Sequence, residues 1–330
     1  MTEVRRWLVN EHGAPLDVLA IETADVPAAD NGAIVVDVEA CALNFADDLL
    51  CRGTYQEKPG LPFTPGIEFA GVVVDAGANG KHAVGHRVAG SARLPYGALA
   101  ERCHARARDV YPLPDEVPAV DAAAMHVTYQ TCWFALHRRA RLQPDETLLV
   151  HAGAGGVGSA AIQLGKAAGA RVIATAGGPT KAARCRELGA DLAIDHRSED
   201  FVAVVNESTD GRGAGVILDP VGGDTFERST HCIAWEGRIL VVGAASGRYF
   251  SAPTNHVMVK NYSVLGVHWG GYLSRNPELV RGAHDDLMRL YRAGVVSPPV
   301  SRVVPFEGAR DALVALTEGR TMGKLVVSVA

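Results

Sequence analysis

The chain has 330 residues, of which 48% are hydrophobic and 21% charged, with a formal net charge of −5. The length suggests two domains of about 150 residues each. The composition excludes a disordered chain, the lack of any basic block or stripe excludes a nucleic-acid footprint, and no apolar run approaches the ~18–20 residues of a membrane span.

The N-terminal segment 1–8 carries two arginines with no apolar core behind them, so it does not read as a signal peptide. The first third then reads as mostly β. Residues 33–40 and 70–76 are strand-like apolar runs, and Pro59, Pro62, Pro65 and Gly66 punctuate the loop between them. Strands without regular intervening helices argue against a parallel sheet there. Near residue 120 the pattern changes: Asp121 caps one short helix, and a second covers 131–137. The basic run at 138–141 reads as solvated helix surface.

From residue 147 strands and helices alternate. Strands are expected at 147–151, 171–175, 192–195, 215–219 and 238–242. Helices are expected at 157–168, 180–188, 200–208 and 224–233. Alternation with nearly all-apolar strands implies a doubly wound parallel sheet covered on both faces, an α/β Rossmann-type domain. A further strand is expected at 262–267, helices at 277–292 and 308–318, and a last strand at 325–329. The six cysteines are scattered, with no C-x-x-C pair. They read as reduced thiols of a cytoplasmic protein.

The chemistry-bearing motif is Gly153-x-Gly155-x-x-Gly158. It follows an apolar strand and opens an apolar helix, the context that makes it a dinucleotide fingerprint. The first glycine permits the tight turn, the second admits the pyrophosphate, and the third lets helix and strand pack. The positive helix end then faces the pyrophosphate. An NAD site places an acid at the end of the second strand. Here Thr175, Ala176, Gly177 and Gly178 stand there instead, with Lys181 just beyond. A 2′-phosphate is tolerated without the acid and attracted by the lysine, so the expected cofactor is NADPH. Arg184, one turn on, reads as a solvated helix residue.

The run from His151 to Gln163 resembles the signature of the zinc-independent, zeta-crystallin-like quinone oxidoreductase branch of the medium-chain dehydrogenase/reductase superfamily. Further matches lie at Asn44 to Asp47, Arg52 to Tyr55, Leu61 to Glu68, Thr128 to Thr131, Asp219 to Asp224, Gly237-Arg238, Val242 to Gly247 and Gly323-Lys324. The resemblance covers nearly the whole chain. It implies a GroES-like β-rich catalytic domain from residues 1–122 plus 268–330, with the Rossmann domain, 123–267, inserted and the cofactor in the cleft. It also implies a homodimer through edge strands, with 262–267 the candidate edge. By motif, the zinc relatives' catalytic Cys falls at Leu43 and their His at Ile67. Glu68 alone does not make a zinc site, and it reads instead as a structural carboxylate. No metal is expected.

The resemblance makes Asn44 the first catalytic candidate, since its amide both donates and accepts. Tyr55 is the second, as a pocket-lining ring or hydroxyl, against a loop-anchor reading. Cofactor contacts are expected from Asn44, Thr131, Gly155, Gly156, Val157, Thr175, Gly177, Lys181, His196, Val221, Gly243, Ala244, Val267, His268, Trp269 and Lys324. For Trp269 a core role competes. Lys324 is expected to reach the pyrophosphate, against a reading as a helix C-terminal lysine. The implied activity is hydride transfer from NADPH to a quinone. A quinone needs no Lewis acid, and the proton comes from water. Two rivals stand beside it: an NADPH-dependent enone or enoyl (alkenal) reductase, and a non-enzymatic NADPH-binding protein of crystallin type.

Overall fold

The computed structural model describes residues 3–30, 32–78 and 81–329. In chain order the first elements are β1 (Glu3–Val9), α1 (Pro15–Val18), β2 (Leu19–Asp25), β3 (Ala33–Ala42), α2 (Phe45–Cys51), β4 (Glu68–Asp75), β5 (Arg87–Ala92), β6 (Arg102–Pro112) and α3 (Ala119–Trp133). There follow β7 (Thr147–Val150), α4 (Gly156–Ala167), β8 (Arg171–Ala176), α5 (Pro179–Glu187), β9 (Leu192–Asp195), α6 (Phe201–Ser208), β10 (Ala214–Asp219), α7 (Asp224–Ser229) and β11 (Ile233–Val241). The chain ends with α8 (Thr254–Lys260), β12 (Ser263–Gly266), α9 (Gly270–Arg275), α10 (Pro277–Arg292), β13 (Val300–Pro305), α11 (Ala309–Thr317) and β14 (Lys324–Ser328).

These elements form two compact units. One runs through Val127 and resumes at Pro298; the other is Thr128–Ser297. The return to the first unit therefore falls at Pro298, later than the expected boundary after Val267. The physical reason is that 268–297 is tied into the second unit. Trp269 Nε1 donates to Gln130 Oε1 at 3.2 Å, and Gln163 Oε1 accepts the Ser297 N–H at 2.7 Å.

The first unit holds a six-stranded sheet in the order β13-β14-β3-β4-β5-β6, and β3 also pairs with β6. That extra pairing closes β3 to β6 into a small antiparallel barrel, leaving no free edge among them. Its core includes Ile34, Val36, Leu43, Phe63, Phe69, Val88 and Val110. Short helix α2 sits directly after β3. Asp47 Oδ2 accepts the Asn44 N–H at 2.8 Å, satisfying the N-terminus of that helix.

The second unit is an all-parallel sheet in the order β12-β11-β10-β7-β8-β9. The order reverses between β7 and β10, and such a switch point opens a crevice at the strands' carboxyl ends. Leu148, Leu149, Ile173, Ile217 and Leu218 are fully buried, as a sheet covered on both faces requires.

Three element expectations change. The two helices expected between 121 and 137 are one: α3 runs unbroken through Trp133 and continues with wider π-type turns over Phe134–Ala140. No Gly or Pro stands between them, so the sequence offers no stop signal. The helix expected over 224–233 ends at Ser229, because Ile233 already pairs with Ala214 as the start of β11. The short strands β1, β2, β5 and β13 carried no distinct periodic signal. All six cysteines are buried free thiols. Among the described residues, no helix is long and apolar enough to cross a membrane.

Candidate functional site: a glycine-loop nucleotide site and a buried Asn-Glu-Lys cluster

The glycine loop joins β7 to α4. Gly155 is the residue before α4, in extended conformation, and Gly155, Gly156 and Val157 are its partly exposed tip. The first-turn N–H groups of this 12-residue helix have no carbonyl one turn back and point outward with the positive end of the helix dipole. A Cβ on Gly155 would meet only Ala152 O, at 3.3 Å, whereas one on Gly158 would lie 2.2 Å from that same carbonyl. The second glycine thus leaves an open face and the third permits close packing, as expected. The first differs. Gly153 makes room for Cys185 Sγ and Ala174 Cβ, while the tight turn itself is taken by Ala152 at φ 51°, a left-handed residue carrying about 1–2 kcal/mol of strain.

Beneath the loop His151 is buried and bonded at both ring nitrogens. Nδ1 lies 2.9 Å from Thr175 Oγ1 and Nε2 lies 2.9 Å from Ser229 Oγ. Ser229 donates its proton to Thr225 O at 2.6 Å. It must therefore accept from Nε2–H, and Nδ1 accepts from Thr175. Burial pushes the imidazole down to about 3, helped electrostatically by the neighbouring His196 and Arg228, so His151 is neutral. This corrects the place of Thr175. Its hydroxyl proton goes to His151 and its carbonyl accepts the Gly153 N–H at 2.8 Å, so it holds the loop and has no donor left for a ligand.

At the ends of β8 and β9 the sequence expectation is extended by a residue it overlooked. A Cβ on Gly177 would lie 3.3 Å from both His196 Nε2 and Arg197 Nε. Asp195 Oδ1 fixes this corner by accepting the N–H groups of Gly178 (2.7 Å) and Arg197 (3.1 Å). Burial and then the charge of Arg197 push the Lys181 ammonium below its ordinary value. Two cations converge beside two side-chain-free residues and the start of α5. That arrangement suits a dianion. A cation directly after the third strand was the available sequence signal.

Val221 and Gly222 donate their N–H groups to the buried Asp219 Oδ1 at 2.8 and 2.9 Å, while burial raises the Asp219 carboxyl. Gly243 lines a small, mostly apolar pocket with Asp219, Gly222, Phe226, Val241 and Phe250. Ala244 follows it, partly exposed. Val267 is buried, its N–H bonded to Val241 O at 2.9 Å, and His268 is exposed. Trp269 is buried and bonded to Gln130, so the competing core role is the one observed. Thr131 is buried in the last turn of α3, not at a helix N-terminus.

In the first unit Asn44, Glu68 and Lys324 form one network. Lys324 Nζ donates to Leu43 O (2.9 Å), Asn44 Oδ1 (2.8 Å) and Glu68 Oε1 (2.7 Å). Asn44 Nδ2 donates to Glu68 Oε1 (2.7 Å) and Ala42 O (3.2 Å). Glu68 Oε2 accepts the Val127 N–H at 2.6 Å. Beside them Asp47 is pushed up to about 6 by burial, against the N–H donors of Asn44 and Gly66 that pull it down. Lys324 is therefore corrected. It begins a strand, its three donors are taken internally, and it is neither a pyrophosphate ligand nor a helix C-terminal lysine. Tyr55 is partly exposed, with its ring against the first unit's core and its N–H on Leu49 O at 3.2 Å.

Comparison with known proteins agrees with this layout. Residues 30–115 match the alcohol dehydrogenase GroES-like domain family, and residues 156–285 match the zinc-binding dehydrogenase family. The mouse quinone oxidoreductase-like protein 2 is 36% identical over 98% of this chain and 92% of its own length. The chain belongs to the medium-chain dehydrogenase/reductase superfamily, in its quinone oxidoreductase branch. Within that branch, the Escherichia coli quinone oxidoreductase solved with NADPH is 31% identical, covers 98% of this chain and all of its own, and superposes with a TM-score of 0.90. CurK enoyl reductase is 25% identical over the full length of both chains, with a TM-score of 0.87. The fold is thus one that binds NADP(H) for oxidoreduction.

Zinc does not fit this member's residues. Leu43 and Ile67 offer no donor atom, and both Glu68 oxygens are taken by Lys324, Asn44 and Val127. Among the described residues no group of three or more His, Cys, Asp or Glu is placed to hold a metal.

Proposed function

We infer that the protein is a metal-independent reductase that uses NADPH to reduce a quinone. The observation that carries the cofactor half is the Lys181–Arg197 pair beside Gly177 and Gly178. In this reading both cations hold the adenosine 2′-phosphate, and His196 flanks it. The backbone of Gly155, Gly156 and Val157 holds the pyrophosphate on α4. Val221, Gly243, Ala244, Val267 and His268 border the nicotinamide half, with Thr131 near them. Bound NADPH supplies the hydride, and the protein's contribution is orientation and exclusion of water.

The acceptor half rests on what the first unit's residues have left to offer. With the Glu68 carboxylate committed and aliphatic Leu43 and Ile67 beside it, an unactivated alcohol finds no polarising group. An electrophile that takes hydride unaided needs none. Asn44 and Tyr55 are the proposed catalytic residues, and the hydroquinone oxygen takes its proton from water. A second reading, reduction of an enone or enoyl substrate, is favoured by the likeness to CurK enoyl reductase.

The six buried free thiols fit a reducing compartment, the cytoplasm in this reading. The proposed assembly is a homodimer through the edge strand β12. Val264 of that strand is exposed, as are Met258 and Val259 of α8, the helix just before it in the chain.

Turnover of 1,4-benzoquinone, a 2-alkenal and an enoyl thioester with NADPH tests the function. The quinone is expected to give the highest kcat/KM. A large preference for the alkenal or thioester overturns the quinone reading. Tight NADPH binding with no turnover across the panel overturns the enzymatic reading in favour of a binding protein.

A further inference from the structure

Asn44 is the residue before α2, so its place depends on what the first turn of that helix is fastened to. A seven-residue helix does not hold itself in place by its own hydrogen bonds. Its far end is held by contacts that no proton alters: Leu50 and Cys51 pack in the core, and Gly13 N–H donates to Cys51 O at 3.0 Å. The near end is held by Asp47, which is fully buried. Its Oδ2 accepts the Asn44 N–H at 2.8 Å and its Oδ1 accepts the Gly66 N–H at 3.0 Å. Gly66 is a rigid corner of the barrel. It has φ +98°, its carbonyl accepts the Ala98 N–H at 2.8 Å, and any Cβ there would run into Leu99 N.

The two bonds need an ionised carboxylate, which accepts at both oxygens. Protonated, one oxygen becomes a donor facing an N–H, and one of the two buried N–H groups loses its acceptor. Burial raises the Asp47 carboxyl to about 6, against the N–H groups of Asn44 and Gly66 and the charge of Lys324, while Glu68 pushes it further up. The other groups around it are Cys41 on β3, and Asp48 and Cys51 on α2 itself. Asp48 is paired with Arg52 at 2.8 Å. Burial raises the Cys41 thiol well above its ordinary value and pushes Cys51 up to about 12, so neither thiol titrates in the same range as Asp47.

We propose that Asp47 is a positioning residue whose ionised carboxylate clamps the first turn of α2, and with it Asn44, to the Gly66 corner, so that uptake of one proton opens the clamp and slows hydride transfer although the reaction uses no acid or base of the protein. This rests on the reading of Asn44 as a catalytic residue and adds a proton-dependent support to it.

The test has two arms. In the first, kcat for 1,4-benzoquinone at saturating NADPH is measured from pH 5 to pH 8 for the wild type and Asp47→Asn, with circular dichroism confirming native structure throughout. In the second, the backbone amide resonances of Asn44 and Gly66 are followed by NMR over the same range in the wild type alone. The wild-type kcat is expected to fall on a single-proton limb centred near pH 6, to a plateau about tenfold or more lower. The Asp47→Asn amide has one acceptor oxygen, like the protonated acid, so this variant should sit near that plateau at every pH. Both wild-type amide resonances should shift with the same midpoint.

A kcat limb that persists undiminished in Asp47→Asn overturns the proposal; the 2′-phosphate of NADPH would produce such a limb by itself. Amide resonances that do not titrate in the wild type overturn it too, even where Asp47→Asn fails to fold. Resonances that titrate while kcat stays flat show the clamp at work and remove Asn44 from the catalytic residues, so the failure then lies in that reading and not in the clamp.

Discussion

Lowering the pH should destabilise the nucleotide-binding unit through His151, and replacing that histidine should abolish the effect. The imidazole is held down to about 3 in the folded chain, against an unfolded value of about 6.5. Its folded value is depressed, so between these limits the unfolded state binds the extra proton. Stability is fully present above about pH 6.5 and falls as the pH drops toward 3. At pH 5 the unfolded histidine gains about 1.4 kcal/mol for each of the ~1.5 pH units below its own value, while the folded one gains almost nothing. The expected loss between pH 7 and pH 5 is about 2 kcal/mol. Other groups titrate over the same range, so the quantity to measure is a difference. Urea unfolding is followed at both pH values for the wild type and for His151→Gln, which keeps an amide to bond Thr175 and Ser229. The wild type should lose about 2 kcal/mol more than the variant on acidification. Equal losses would show that His151 is not a buried neutral ring, and the assigned Thr175–His151–Ser229 chain would fall with it.

Removing either cation of the proposed phosphate corner, by Lys181→Ala or Arg197→Ala, should weaken NADPH binding about 10- to 100-fold and leave NADH unchanged; equal effects on both cofactors, read by fluorescence titration, would refute the 2′-phosphate assignment. Gly158→Ala forces a methyl to 2.2 Å from Ala152 O. It should cost about 1–3 kcal/mol and sharply weaken NADPH, whereas Gly155→Ala should weaken NADPH at nearly native stability. Paired Met258→Glu and Val259→Glu changes remove two exposed apolar side chains from each copy in a dimer. The dissociation constant seen by sedimentation should rise about a hundredfold or more, and an unchanged constant would locate the interface elsewhere.

Much of this was legible in the chain before folding. Hydrophobic runs bounded by glycines located β7 to β11 and their helices, because a strand covered on both faces writes its burial directly into composition. The glycine loop was readable for a related reason: Gly158 is demanded by a backbone carbonyl that no side chain can yield to, so the residue type itself records the contact. The missing acid after β8 and the presence of Lys181 are likewise local facts. The family resemblance put Leu43 and Ile67 where zinc relatives carry ligands, and neither aliphatic side chain can bind a metal.

Only the tertiary structure decided what long-range partners do to polar side chains. Lys324 lies 280 residues from Asn44 along the chain, so no local pattern ties its ammonium to that amide or withdraws it from a phosphate. Thr175 looked available to a cofactor until His151 took its hydroxyl. Arg197 joined Lys181 only when β8 and β9 came side by side, and Trp269 became a core residue through Gln130. Burial can be read from periodicity, since it is shared by a whole face of an element. The direction in which a single hydrogen-bonding group is spent depends on which distant residue folds against it.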